Sequence, residues 1–280
     1  WQNRQNRTMK KTLPSLVIAS TLLAASGLIA QQPAAEADSA RAGQGGPVAS
    51  PEGQALARRT IVAVDAQRSL HLQIRQRINM FGQQLVGNGV YQQLGQDTER
   101  RLRLDLFVKI ANQSTSMQQI CDGRFLYIRR DFGDNESLGR VDLRRIREAV
   151  ARSEAADGNL DVANQWMLLG GMPQLLARLE KNFEFTAPRQ AALENTPVTV
   201  IEGYWKPKAL LALLPDHEDA IKRGEPIDAK ALSGQLPTQI RIVVRTEDSF
   251  PLRIEYLRSG KAASPEEAPP MKTIMVLEFY

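Results

Sequence analysis

Apolar and polar residues alternate over two long stretches of the chain, and this alternation predicts its main elements. The first stretch covers residues 70–80 and the second covers residues 102–110. Because successive side chains of a strand point to opposite sides, each stretch predicts a strand with one apolar and one polar face. Asp122-Gly123 lies between two further strand-like runs, and this dipeptide favours a tight hairpin turn. The pattern therefore predicts consecutive antiparallel strands of one broad sheet.

Helical periodicity occurs in separate segments between the strands. Ser50-Pro51 begins a helix that reaches about Ala66, and Asp142 caps a later one. Further helical segments are predicted within 166–182 and over 207–214, and further strands over 82–94 (interrupted at Gly87), 183–187, 197–205, 239–245, 252–258 and 273–280. The order of helix, strands, helices and strands predicts an α+β fold, with helices on one face of an antiparallel sheet.

Segment composition predicts the domain organisation. Basic Met9-Lys10-Lys11 precedes an apolar run, which is typical of a secretory signal peptide over residues 9–37. Residues 1–8 are expected to be non-native upstream residues, and 38–51 a disordered linker. Residues 52–280 are expected to form one domain, cut at its C-terminus inside the last strand. The predicted location is the periplasm or another exported compartment of the bacterial cell envelope.

The net charge of +5 does not indicate a nucleic-acid partner. Four of these charges belong to Arg4, Arg7, Lys10 and Lys11, which leaves +1 for residues 31–280. The helix after Asp142 carries Arg144, Arg145, Arg147 and Arg152. Such a basic surface fits anionic lipid or an envelope partner, but a solvated helix face is the commoner explanation.

Catalytic and metal-binding motifs are not found in the sequence. His71 and His217 have no partners at a metal-ligand spacing, and the single cysteine, Cys121, excludes an internal disulfide. A hydrolase would need Asp131, Asp134 and His217 to converge, and we treat it as a minor alternative. We therefore expect a protein that is not an enzyme, with no cofactor and no metal.

The stretch QICDGRFLYIRR (119–130) resembles the strand–DG–strand segment of the LolA-like family, the periplasmic carriers of outer-membrane lipoproteins. Residues 68–95 resemble the opening of that family and 236–257 its later hairpin, so that the resemblance covers about 52–132 and 195–280. It implies an incomplete antiparallel barrel with helices over its concave face, and an apolar interior that holds acyl chains. The family's Arg-Pro before the third strand is replaced here by Arg100-Arg101, so these two are the lid-locking candidates.

The resulting hypothesis is a monomeric, exported carrier that binds an acyl chain or a lipoprotein in an apolar cavity between sheet and helices. The residues expected to line this cavity are Leu70, Leu72, Ile74, Leu102, Leu104, Leu106, Val108, Trp166, Met167, Leu168 and Met172. Besides the hydrolase, an alternative is an envelope protein-protein interaction module whose core is closed. An open apolar pocket would favour the carrier, and a close-packed interior would favour the interaction module.

Overall fold

The computed structural model describes residues 48–280 except 81–82, 97–98, 111–112, 134, 147, 149–169, 226, 228–230, 234–235 and 261–269. The predictions for the upstream residues, the signal peptide and most of the linker lie outside the described residues. So do those for Trp166, Met167 and Leu168.

The described part of the chain contains twelve strands, four helices with defined bounds, a helical segment over 143–146 and a 3-10 turn over Pro215–His217. The helices are α1 (Pro51–Asp65), α2 (Met172–Asn182), α3 (Pro207–Leu213) and α4 (Glu218–Lys222). The strands are β1 (Ser69–Met80), β2 (Gln83–Leu94), β3 (Arg101–Ile110), β4 (Gln113–Cys121), β5 (Phe125–Phe132), β6 (Asn135–Asp142), β7 (Phe183–Phe185), β8 (Arg189–Leu193), β9 (Thr196–Trp205), β10 (Gln239–Arg245), β11 (Pro251–Ser259) and β12 (Met271–Phe279).

All twelve strands belong to one antiparallel sheet. Its order is β6-β5-β4-β3-β2-β1-β12-β11-β10-β9-β7, with β8 also paired to β9. The sheet is curved like a half-barrel, and the two ends of this order are not joined to each other within the described residues. The predicted α+β class and the antiparallel meander are therefore confirmed at this level.

The hairpin turn at Asp122-Gly123 has the predicted chemistry. Gly123 has a φ of 98°, a value that favours glycine. The Asp122 carboxylate accepts hydrogen bonds from the backbone N–H groups of Arg124 (2.8 Å) and Phe125 (2.6 Å). These bonds hold the pKa of Asp122 below its ordinary value, and the bond from Phe125 has the largest effect.

The predicted cap of α1 is also present. The Ser50 hydroxyl accepts from the backbone N–H groups of Glu52 (3.2 Å) and Gly53 (3.4 Å), and the Ser50 N–H donates to Phe185 O of β7 at 2.8 Å. Because α1 and α2 share one hydrophobic core with the strands, both helices pack on the apolar side of the sheet.

The structure differs from the sequence prediction at several elements: β8 and α4 were not predicted, and β2 and β6 differ as follows. Strand β2 is paired with β1 and β3 through Gly87, so it is not interrupted there. Residues 135–142, for which no strand was predicted, form strand β6 as the partner of β5. Its side chains are mostly exposed, and therefore lack the apolar alternation that would have predicted a strand.

A ladder of ion pairs connects five strands on the polar side of the sheet. It runs from Arg77 through Glu278, Arg253, Glu255 and Arg241 to Glu202, with N–O distances from 2.7 to 3.6 Å. Alternating charges placed across neighbouring strands attract each other, so the ladder holds β1 and β12–β9 together opposite the apolar core.

Candidate functional site

The register of the first strands places the predicted apolar residues on one side of the sheet. Directly opposed residues share a face, and β2 lies between β1 and β3. The resulting rows are Leu70–Gln93–Leu102, Leu72–Tyr91–Leu104 and Ile74–Gly89–Leu106, and Val108 continues the same side opposite Gly87. We call this side of β1–β5 the apolar face. The structure thus brings the seven strand residues of the predicted site onto one surface.

Burial decreases along the apolar face from one end of the strands to the other. The row Leu102–Cys121–Leu126 is almost fully buried. In the row at the opposite end, Val108 is half-buried and Phe132 is 57% exposed. The apolar face therefore has a sealed end, covered by helices and turns, and an open end beside Phe132.

A buried polar cluster lies at the sealed end. The Tyr91 hydroxyl donates to Gln93 Oε1 at 2.9 Å and accepts from the backbone N–H of Met172, the first residue of α2, at 3.2 Å. Gly171 precedes Met172 with a φ of 79°, and a Cβ there would lie 2.3 Å from the Tyr91 oxygen. Burial raises the pKa of Tyr91, so its hydroxyl stays protonated and attaches α2 to the sheet.

Arg100 adds a second attachment at the same end. Its guanidinium donates to the carbonyl of Gly170 at 3.1 Å and forms an ion pair with Asp65 at the end of α1. The Arg100 side chain is 4% exposed, and Asp65 is 46% exposed. Of the two lid-locking candidates, only Arg100 makes these contacts; Arg101 is exposed on the polar side of β3.

Helices α1 and α2 are also joined to each other through Glu180. Its Oε1 accepts from Gln54 Nε2 at 2.7 Å and from Arg58 Nε at 3.0 Å, and Lys206 Nζ donates to its backbone oxygen at 2.7 Å. Burial acts to raise the pKa of Glu180, but the hydrogen bonds from Gln54 and Arg58 outweigh it and leave the pKa lowered. The two helices therefore form one unit that Arg100 and Tyr91 hold against the sheet.

Three buried polar atoms on or beside the apolar face have no hydrogen-bond partner among the described residues. They are Gln93 Nε2, Arg100 Nε and Gln119 Oε1. A buried polar group without a partner is costly, and each such group marks a place where a polar atom of a ligand or a water would be stabilised. Tyr91, Gln93 and Gln119 were not predicted as site residues, because the sequence pattern assigned no faces to the strands β2 and β4 that carry them.

Two shallow depressions stand out on the described surface. One, of about 250 Å³, is lined mainly by polar-side residues of β3–β5 such as Arg103 and Gln118. The other, of about 290 Å³, lies where Ile74, Asn88 and Tyr280 meet. Both are smaller than the roughly 300–1,000 Å³ of small-molecule pockets. The sealed end of the apolar face is instead filled by side chains, and Met172 is fully buried there.

The residues of the hydrolase alternative do not form a site in the described structure. Asp131 lies on β5 and His217 in a 3-10 turn after β9, near opposite ends of the strand order, and Asp134 lies outside the described residues. Within the ranges that the structure describes, no cluster of three or more His, Cys, Asp or Glu residues could hold a metal ion. No described helix is both long and apolar enough to cross a membrane.

The basic segment after β6 is helical over 143–146 and begins as predicted. Asp142 Oδ1 accepts from the backbone N–H groups of Arg144 (3.0 Å) and Arg145 (3.4 Å), so it acts as the cap. Arg144 is exposed and pairs with Glu148 at 3.6 Å. Arg152 lies outside the described residues. Part of the positive charge predicted for this surface is therefore neutralised locally.

Comparisons with known proteins give similar structures but no family. No family model matches the chain, and no curated protein matches it significantly. A DUF1329 family protein from Desulfovibrio piger is 10% identical with a TM-score of 0.33, over 81% of this chain and 90% of that one. An outer membrane lipoprotein-sorting protein domain from Vibrio parahaemolyticus is 9% identical with a TM-score of 0.32, over 81% and 89%.

LprF from Mycobacterium bovis is likewise 9% identical, with a TM-score of 0.32, over 83% of this chain and 93% of that one. Because none of these three TM-scores exceeds 0.33, the likenesses do not assign the chain to a family.

Proposed function

We propose that this protein is a non-catalytic carrier of the cell envelope that binds an acyl chain or a lipoprotein on the apolar face, between the sheet and helices α1 and α2. The observation that carries the proposal is the gradient of burial along that face. Leu102 and Leu126 are buried at the sealed end, whereas Val108 and Phe132 leave apolar surface accessible at the open end. An acyl chain would lie along the strands between the sealed end and this open end.

The energy of such binding comes from apolar contact. Burial of a methylene group yields about 0.8 kcal/mol, so an acyl chain gains affinity with each carbon that leaves water. Half-buried Met117 and Ile128 lie between the two ends of the face and would be covered further by a bound chain. A ligand of this kind needs neither a metal nor a nucleophile.

The unpaired polar atoms support an acylated ligand over a plain hydrocarbon. Gln93 Nε2 and Arg100 Nε are donors, and a carbonyl oxygen of an ester or amide would accept from them. Since Asp65 already balances the charge of Arg100, a neutral carbonyl suits this end better than a carboxylate. Such a ligand would reach the sealed end only if α1 and α2 move away, which makes Arg100 the residue that holds the closed state.

An equilibrium titration with a fluorescent fatty acid tests this function, followed by competition with a diacylated lipopeptide. We expect saturable binding that the lipopeptide reverses, and weaker binding by a Met117→Asn variant at the middle of the face. The matched control is Gln118→Asn, one residue away on the polar side. Folded protein that binds neither probe would contradict the proposal.

A second candidate is an envelope interaction module, and one observation favours it. The two depressions described above are small and shallow, and the sealed end is filled by the protein's own side chains. In that case the basic surface at Arg144 and Arg145 is the docking site for an envelope partner. A double Arg144→Glu, Arg145→Glu variant would then lose a partner captured by the native protein, with fatty-acid binding absent in both.

A further inference from the structure

Strand β6 forms an edge of the sheet. It pairs with β5, and no other described strand lies beside it. Residues 135–140 are exposed on both faces of the strand. Leu138 is 77% exposed, more than the other large apolar residues on the surface of the described strands. A strand edge with free N–H and C=O groups is a template for another strand unless charged side chains (lysine above all), proline or a covering segment block it. β6 contains neither lysine nor proline, and its charged residues, Glu136, Arg140 and Asp142, are of both signs.

The sequence of β6 complements itself when two copies run antiparallel. If Leu138 of one copy faces Leu138 of the other, Glu136 of each lies opposite Arg140 of the other. These side chains alternate along the strand, so all of them share one face of the joined sheet. Two opposite-charge pairs then flank a central apolar pair, and each kind of cross-strand pair is stabilising.

Neighbouring symmetric registers lack this complementarity. A shift of the copies by two residues in one direction places Glu136 opposite Leu138, and in the other direction opposite Asp142 of the second copy. The first exposes a charge to an apolar side chain, and the second opposes two carboxylates, which is destabilising. The Leu138-centred register is therefore the one that charge and apolarity select together.

We propose that the protein forms a twofold-symmetric dimer by antiparallel pairing of β6 with β6 of a second copy, centred on Leu138. This differs from the monomer expected from the sequence, in which no strand was predicted at 135–142. Within one chain, Glu136 pairs with Arg129 at 2.8 Å, and Arg140 stacks on Phe125 at 4.8 Å. Both pairs are exposed and weak, so Arg140 of the second copy can join Glu136 without the loss of a buried contact.

Site-specific crosslinking tests the register. Opposed residues of antiparallel strands have Cα atoms about 4.5–5.5 Å apart, within the range of a disulfide, so Leu138→Cys should give a linked dimer on mild oxidation. Arg140→Cys is the matched control, because the two copies of residue 140 would be about 14 Å apart, four residues along the strand and one strand spacing across. Chains with Glu136→Cys mixed with Arg140→Cys chains should crosslink to each other. Native Cys121 is buried and should contribute little.

Charge reversal gives an independent test without a new cysteine. Sedimentation velocity over a concentration series should show a dimer for the native protein. Glu136→Arg and Arg140→Glu should each weaken it about tenfold, since every change affects two symmetric pairs, and the combined variant should recover most of the loss. Leu138→Lys should be folded and monomeric.

A native protein that stays monomeric at its highest soluble concentration would overturn the proposal. Equal crosslinking by Leu138→Cys and Arg140→Cys, or a combined charge variant as weak as each single one, would overturn the register. These measurements use no lipid, so their outcome does not depend on the proposed carrier function.

Discussion

Replacement of Arg100 by methionine should loosen the helices from the sheet and destabilise the protein. The change removes the hydrogen bond to Gly170 O at 3.1 Å and the ion pair with Asp65, while it keeps much of the buried apolar volume. A matched control is Arg101→Met, on the exposed side of the same strand.

The magnitude follows from how much of each contact water can replace. A hydrogen bond to a charged group contributes about 1.5–3 kcal/mol, and loss of one partner of a fully buried ion pair costs about 3–5 kcal/mol. Asp65 is 46% exposed and regains water when Arg100 is lost, so the lower values apply. We expect Arg100→Met to lower the free energy of unfolding by about 2–3 kcal/mol, and Arg101→Met by less than about 0.5 kcal/mol.

Urea unfolding gives the stabilities, and hydrogen exchange shows where the change acts. Amides of α1 and of the first turn of α2 should exchange faster in Arg100→Met, and those of β10 and β11 should not. Asp65→Asn should cost less than Arg100→Met and add little to it, because both changes break the same pair. Equal stability of Arg100→Met and Arg101→Met, or unchanged exchange in α1, would refute the reasoning.

Three further predictions concern the apolar face, the hairpin turn and the helix pair. Leu104→Asn should lower the free energy of unfolding by about 3 kcal/mol and reduce fatty-acid binding. Phe107→Asn, on the polar face of the same strand, should change neither by much. Equal effects of the two variants in urea and binding titrations would contradict the assigned faces. The pKa of Asp122 in the folded protein is below its ordinary value of 3.8. Its ionised carboxylate therefore stabilises the fold at pH values above 3.8, and this stabilisation is lost as the pH falls through the pKa of the folded protein. Asp122→Asn should therefore be less stable than the native protein at pH 7 and lose less stability on acidification, and parallel pH profiles would count against this. Glu180, whose pKa is also below its ordinary value of 4.5, should behave in the same way. The native protein should melt at a higher temperature than Glu180→Gln at pH 7, and this difference should shrink in acid. A difference that does not depend on pH would show that the charge of Glu180 is not involved.

The faces of the long strands could be predicted from the sequence because the alternation is strict. Leu102, Leu104 and Leu106 share one side in the structure, as the period of two requires. The same rule separates the two arginines before them, since Arg100 has the parity of Leu102 and Arg101 does not. The sequence analysis left both open, although this parity would have favoured Arg100.

Other parts of the site depend on contacts between distant positions, which a local pattern does not show. Asp65 and Gly170 approach Arg100 only when α1 and the turn before α2 fold onto the sheet. Tyr91 and Gln93 are polar residues on the apolar face, and burial of polar groups is decided by such tertiary partners. Strand β6 was missed because an exposed edge strand needs no apolar alternation.

The most direct test of the carrier function is mass spectrometry of lipid extracted from the protein after gentle purification from an envelope fraction. The account predicts acylated lipid or lipopeptide in a near-stoichiometric amount. It also predicts a clearly smaller amount in Leu104→Asn protein that is shown to be folded, and a native amount in Phe107→Asn. Native protein that is folded, free of lipid and indifferent to added fatty acid or lipopeptide would contradict the account and favour the interaction module.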